Sequence, residues 1–183
     1  MTETLDVIAR RYACRQYADR PLADDALRAI AEAGLHAPSA LNRQPWRLAV
    51  LSRPEQVAEV DAAGLDYIRQ NDPTYYDRVV ARGGKMLYGA PAMIIIALQH
   101  QSDDFSADLD AGIVAGHIVL AATALGVASC VVGMTRYALQ ASPQLAARYI
   151  PAGCDFGVSI LLGYAAGDPG TPHAIDPAKI IWA

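Results

Sequence analysis

The chain has 183 residues and a formal net charge of −4, from 15 Lys and Arg against 19 Asp and Glu. That length predicts one domain, 1–183, and the acidic balance argues against sequence-independent nucleic-acid binding, which needs Lys and Arg to neutralise phosphates. Cys14, Cys130 and Cys154 lie far apart with no Cys-x-x-Cys pair, which indicates neither a zinc site nor a disulfide framework and fits a reducing cytoplasm.

The opening MTETLDVIARR lacks the apolar core of a signal peptide and reads as a helix start. Over 4–12, Leu5, Ile8, Ala9 and Tyr12 recur at i, i+3, i+4 and i+7. Pro21 and the pair Asp24-Asp25 begin a second helix, because carboxylates favour a helix N-terminus. Its apolar face is Leu27, Ile30, Ala31 and Leu35. Residues 48–51 predict a strand. Pro54 opens a third helix running toward Arg69, and Asn71-Asp72-Pro73 breaks it. Residues 75–87 predict another helix or an ordered loop, with Tyr67, Tyr75 and Tyr76 concentrated nearby. The apolar run AMIIIAL, 92–98, reads as a central strand buried on both faces.

Residues 111–135 contain no Asp, Glu, Lys or Arg, and about 18 apolar residues in a row reach membrane-helix length. Gly112, Gly116, His117, Thr123, Gly126, Ser129 and Gly133 interrupt the run, so it reads instead as a helix hidden inside the protein. Gly126 is its C-cap, and a buried strand follows at 129–132. Gly112 and Gly116 lie one turn apart and would let another backbone approach, from this chain or from a second copy. No Lys/Arg-rich amphipathic helix suggests a membrane surface. A helix near 143–149 and a strand at 156–162 come next. From Gly163 the tail is rich in Gly and Pro and should run irregularly to Ile180-Ile181-Trp182, which either folds back or reaches a partner subunit.

Two polar segments carry candidate chemistry. In Arg10-Arg11-Tyr12-Ala13-Cys14-Arg15, Arg11 and Arg15 at i and i+4 would project from one face of a helix end. Guanidinium forks suit phosphate oxygens, and they serve equally well as a helix C-terminal cap. The second segment, Ala37-Pro38-Ser39-Ala40-Leu41-Asn42-Arg43-Gln44-Pro45-Trp46, packs a hydroxyl and two amides into one short turn. Amides present donors and acceptors on one plane, which suits the edge of a flat heterocycle. Gln44 serves equally to tie down its own turn, and Trp46 reads as core.

These segments resemble the flavin-binding elements of the nitroreductase family, the first a pattern Arg-x-Ser-x-Arg/Lys, the second Ala-Pro-Ser-x-x-Asn-x-Gln-Pro-Trp. The resemblance implies an α+β, nitroreductase-like fold: a central, mainly antiparallel sheet flanked by helices, with a C-terminal arm extending onto the partner subunit of a homodimer. It implies FMN as cofactor and NADH or NADPH as electron donor. No protein acid or base is demanded, because the hydride chemistry belongs to the isoalloxazine. On matching positions, Arg11 goes to the phosphate or ribityl chain. Arg15 lies near the pyrimidine edge, where a cation stabilises reduced flavin. Pro38, Ser39 and Ala40 line the cofactor, and Asn42 and Gln44 hydrogen-bond the ring. Val132 and Gly133 end a strand whose following backbone approaches it closely. Three positions depart from the pattern. Ala13 replaces serine, Ala165 replaces a proline after Gly163-Tyr164, and Ala174-Ile175 stand where a basic residue grips the phosphate, leaving His173 as the nearby substitute.

The implied reaction is ping-pong hydride transfer to small, flat, electron-poor acceptors such as nitroaromatics or quinones, with the stretch Tyr67 to Tyr76 as substrate-side cover. The same scaffold also admits ene-reduction, dehalogenation or flavin fragmentation, and a flavin-binding module without turnover. The remaining residues add no competing chemistry. His36, His117 and His173, with His100 read as a loop residue, show no metal-ligand spacing with carboxylates. No serine has an evident His/Asp partner, and GxGxxG is absent.

Overall fold

The computed structural model describes residues 2–99, 106–167 and 170–182, so His100 lies outside the described residues. Its centre is the strand β2 (Ala92–Leu98), every residue of which is buried. β2 sits in a four-stranded sheet of order β1-β2-β4-β3, with β1 Trp46–Leu51, β3 Ala128–Val132 and β4 Asp155–Gly163. All three pairings are antiparallel, and β1 and β3 are the two outer strands.

Strand alternation divides the core into two layers. Ala92, Ile94, Ile96 and Leu98 join one cluster with α2 (Asp24–Leu35) and α5 (Ser106–Ala124). Met93 and Ile95 join the other, with α3 (Pro54–Asn71), α6 (Thr135–Ala141) and α7 (Pro143–Tyr149). Local chemistry sets the helix starts. Pro54 opens α3 while the Arg53 N–H donates to Gln56 Oε1 at 3.1 Å. Asp72 caps α4 (Pro73–Ala81) by accepting the Tyr75 N–H at 2.9 Å. The 75–87 stretch is therefore helix as far as Ala81, then a turn through Gly83 and Gly84. Gly34 lets α2 lie close on α5: a Cβ there would sit 2.8 Å from Ile118. Gly126, at φ +71°, ends α5 in the left-handed conformation that glycine adopts without strain.

Three expectations change. The first helix, α1 (Glu3–Arg10), ends before Tyr12 and buries Val7 while leaving Leu5 and Ile8 exposed; among the described elements it packs chiefly on α5. α2 leaves Leu35 exposed. And α5 is only half hidden. Val114, Ile118 and Ala122 are fully buried against the sheet, whereas Leu109 and Ile113 are exposed and a Cβ on Gly112 or Gly116 would meet nothing within 4 Å. Ala107–Ala124 is long and apolar enough to cross a membrane by length and composition, yet its inner face packs on the sheet. α6 is an element the sequence pattern did not announce. The tail is irregular apart from a short 3-10 turn at Pro177–Lys179, and Ile175, Ile181 and Trp182 are exposed.

Candidate functional site

After Arg10 the chain does not continue as helix. Arg11 is extended (φ −64°, ψ 131°), Ala13 forms a parallel bridge to Ser129 on β3, and the Cys14 N–H donates to the Ser129 carbonyl at 2.9 Å. Further on, Tyr17 bridges Ala165, and the Ala18 N–H donates to the Tyr164 carbonyl at 2.8 Å. The donors and acceptors of 13–18 thus find the sheet edge rather than a helical turn. This corrects the i, i+4 reading of Arg11 and Arg15. In an extended chain residues 11, 13 and 15 share one side through a period of two. Burial pushes the Cys130 thiol pKa up, while Arg15 and Arg11 both pull it down, so both guanidiniums bear on the same stretch of β3.

This edge strand borders a trough built from neighbouring cavities. One, of about 380 Å³, is lined by Tyr12, Ala13, Arg15, Arg82, Tyr88 and Ala165, among others. A second, of about 340 Å³, shares Arg15, Arg82 and Tyr88 and adds Lys85. A third, of about 460 Å³, continues from Tyr12 and Gly170 to Pro172 of the tail. His173 is exposed in the tail, one residue beyond Pro172. No carboxylate lines any of these three cavities among the described residues.

The end of β3 is fixed from beneath. Ser159 Oγ donates to the Val132 carbonyl at 3.1 Å and lies 2.5 Å from Thr135 Oγ1, and Ser159 and Thr135 are both fully buried. That pair anchors the Gly133–Met134 turn. Above it, the Tyr75 hydroxyl donates to Met134 Sδ, and Tyr67 stacks on Tyr137 with ring centroids 5.6 Å apart. Tyr75 is tilted against Tyr137 at 6.2 Å. The tyrosine-rich stretch thus forms a wall beside the turn.

The Pro38–Gln44 turn lies elsewhere. Ser39 Oγ accepts the Gln44 N–H at 2.9 Å, and the Gln44 side-chain amide donates to Asn42 Oδ1 at 2.9 Å, so Gln44 ties down its own turn. Leu41, Asn42 and Gln44 all have positive φ. The Ala40 N–H donates to Oδ1 of the buried Asp110 on α5 at 3.1 Å, and Asp110 Oδ2 is buried without a partner among the described residues. The turn feeds β1, on the layer of α2 and α5, whereas Ala13 pairs with β3. Four strands at about 4.8 Å spacing put the two outer strands about 14 Å apart. A single chain therefore sets Ala13 and Arg15 in the trough, with Arg11 bearing on the same strand that ends at Val132 and Gly133, and leaves Pro38, Ser39, Ala40, Asn42 and Gln44 toward the other edge of the sheet. Sequence reasoning missed Arg82, Lys85, Tyr88 and Asp110, none of which belongs to a local motif.

The class is an antiparallel α+β fold with, at the edge of its sheet, a basic trough that no carboxylate lines among the described residues. The nitroreductase family model matches residues 8–147, and the chain belongs to the nitroreductase family. A crystal structure of a nitroreductase with bound FMN from Desulfitobacterium hafniense is 40% identical, covers 100% of this chain and 99% of its own, and superposes with a TM-score of 0.91. Two proteins named NADH dehydrogenase/NAD(P)H nitroreductase are also similar. The one from Archaeoglobus fulgidus is 29% identical over 73% of this chain and 69% of its own. That from Methanothermobacter thermautotrophicus is 28% identical over 97% and 85% respectively.

Proposed function

We propose that this protein is an FMN-dependent oxidoreductase that draws electrons from NADH or NADPH and delivers them to small, electron-poor acceptors such as nitroaromatics or quinones. The observation that carries the reading is the row Arg11, Ala13, Arg15 laid along β3, beside a trough that no carboxylate lines among the described residues. The donor set fits an elongated anion with a flat head: cations along one wall, tyrosines over one end, and a path toward the tail. FMN, when bound, supplies the hydride chemistry; the chain supplies position, charge and shelter.

In this reading Arg11 holds the phosphate or ribityl chain, and Arg15 faces the pyrimidine edge, where its charge favours the reduced form. Ala13 offers only its backbone. Val132 and Gly133 present backbone at the ring, and His173 takes the phosphate-side place that lacks a Lys or Arg. Pro38, Ser39, Ala40, Asn42 and Gln44 serve the trough of a second copy, because their own trough lies across the sheet. The open stripe of Gly112 and Gly116 with Leu109 and Ile113, and the exposed Ile181 and Trp182 of the arm, supply apolar surface for such a homodimer. The whole chain acts as one domain, and its three free cysteines suit the cytoplasm.

The test begins with the absorbance spectrum of the purified protein and identification of the released chromophore. One FMN per chain and quinone-dependent NAD(P)H oxidation are expected; a colourless protein that takes up no added FMN sinks the reading. Arg11→Glu should weaken FMN affinity at least about tenfold, the size of a lost charge-assisted hydrogen bond, with the melting temperature of the apoprotein unchanged. Full FMN retention in that variant overturns the phosphate assignment.

A further inference from the structure

We propose that Ser159 and Thr135, through their buried hydroxyls, are positioning residues for the flavin: acting on the Val132 carbonyl, they hold the Val132–Gly133 peptide so that the Gly133 N–H is presented to the cofactor. The inference rests on the FMN reading above. Both residues are fully buried. Ser159 shares a face of β4 with Leu161, and Thr135 Oγ1 lies 3.7 Å from Met93 Sδ. Both therefore sit in the layer that Met93, Ile95, Val132 and Leu161 fill with apolar side chains. An apolar residue would pack there as well, and a buried hydroxyl costs free energy unless it is hydrogen-bonded.

The hydroxyls form a directed relay. Each has a single proton to give. Ser159 Oγ donates to the Val132 carbonyl at 3.1 Å, so in the 2.5 Å contact between the two hydroxyls Thr135 is the donor and Ser159 the acceptor. Each bond in such a chain polarises the next. Val132 is the last residue of β3, and its pairing with Ser159 is the last rung toward β4. Gly133 lies beyond that ladder, so the side-chain bond is what orients the peptide leading into it.

Its direction follows from strand alternation. Successive residues of a strand turn their N–H and C=O groups to opposite neighbours. The Ser129 carbonyl faces outward and accepts the Cys14 N–H of the edge segment, whereas the Val132 carbonyl, an odd number of residues further on, faces inward to Ser159 on β4. The peptide is planar and trans, so the Gly133 N–H points opposite to the Val132 carbonyl, toward the outer side of β3 where the edge segment lies. No acceptor for that N–H is found among the described residues. A Cβ on Gly133 would meet nothing within 4 Å, so the backbone there is open to a ligand. Without the relay the last peptide of β3 can tilt, and the donor loses its aim.

The experiment separates aim from packing. Ser159→Ala alone strands the Thr135 hydroxyl and should lower the melting temperature of the apoprotein. Ser159→Ala combined with Thr135→Val removes both hydroxyls, and replacing both partners by apolar groups of similar shape is close to neutral for stability. That double variant should melt like wild type as apoprotein, yet bind FMN about fivefold more weakly in a fluorescence titration, the size of one lost net hydrogen bond. In wild type made with isotope-labelled glycine, the Gly133 amide should exchange freely in the apoprotein and slow at least about tenfold with FMN bound. The FMN-saturated double variant should lose most of that protection. A double variant whose FMN affinity stays within about twofold of wild type overturns the inference, because the hydroxyls would then serve only each other. So does a Gly133 amide that gains no protection from FMN in wild type, a readout that needs no variant to fold. A wild type that takes up no FMN strikes the oxidoreductase reading as well, whereas FMN uptake with equal affinity in the double variant strikes the positioning role alone.

Discussion

Asp110 shows how much one carboxylate can hold. It is 4% exposed, and its Oδ1 accepts the Ala40 N–H of a turn that contains three non-glycine residues at positive φ. Asp110→Ala leaves that N–H without its acceptor and should destabilise the protein by about 1–3 kcal/mol in urea melts. Asp110→Asn, which keeps an acceptor oxygen, should lose distinctly less; equal losses would mean that the hydrogen bond is unimportant. Asp61 offers a pH signature. Burial raises its carboxyl pKa above the ordinary range, against the opposing pull of the Leu87 N–H, of Lys85 and of Met86. A carboxyl whose folded pKa is raised contributes stability below its unfolded pKa and loses it as pH rises through the folded value. Asp61→Asn should therefore melt at a higher temperature than wild type at pH 7, with the gap closing as the pH falls toward 4. A gap that widens on acidification would contradict this sign.

At the scale of elements, legibility followed locality. β2 was readable because a strand covered on both faces shows an unbroken apolar run, and α3 and α4 because Pro54, Asp72 and Pro73 write their starts locally. The 11–17 segment was misread because its hydrogen-bond partners, Ser129 and Tyr164 to Ala166, lie far downstream. α6, at seven residues, is too short for periodicity to stand out. The two flavin-like motifs were legible as sequence, but nothing in them announced that they sit on opposite edges of one sheet. Arg82 and Asp110 reach their places only through tertiary packing. The half-open α5 carries a prediction of its own. Because a Cβ at Gly116 meets nothing within 4 Å in the single chain, Gly116→Leu should keep the helix content of the monomer. Under the proposed homodimer it should also halve the mass measured by sedimentation and lower FMN occupancy. A variant that stays dimeric would remove this stripe from the interface.

Over the whole molecule, the exposed apolar side chains include Leu5 and Ile8 on α1, Leu109 and Ile113 on α5, Val131 on β3, and Ile175, Ile181 and Trp182 in the tail. Under the proposed pairing, a second copy of the chain would cover part of this surface. The separation of the Arg11–Arg15 row from the Pro38–Gln44 turn has a consequence for mass action under the proposed pairing. If each trough is finished by the other copy, cofactor affinity becomes a function of protein concentration, and dilution alone strips the flavin. By linkage the reverse also holds: FMN binds only the associated form and so tightens the association. The holo fraction would then rise steeply, rather than in proportion, with the amount of protein made, giving the activity a threshold in abundance.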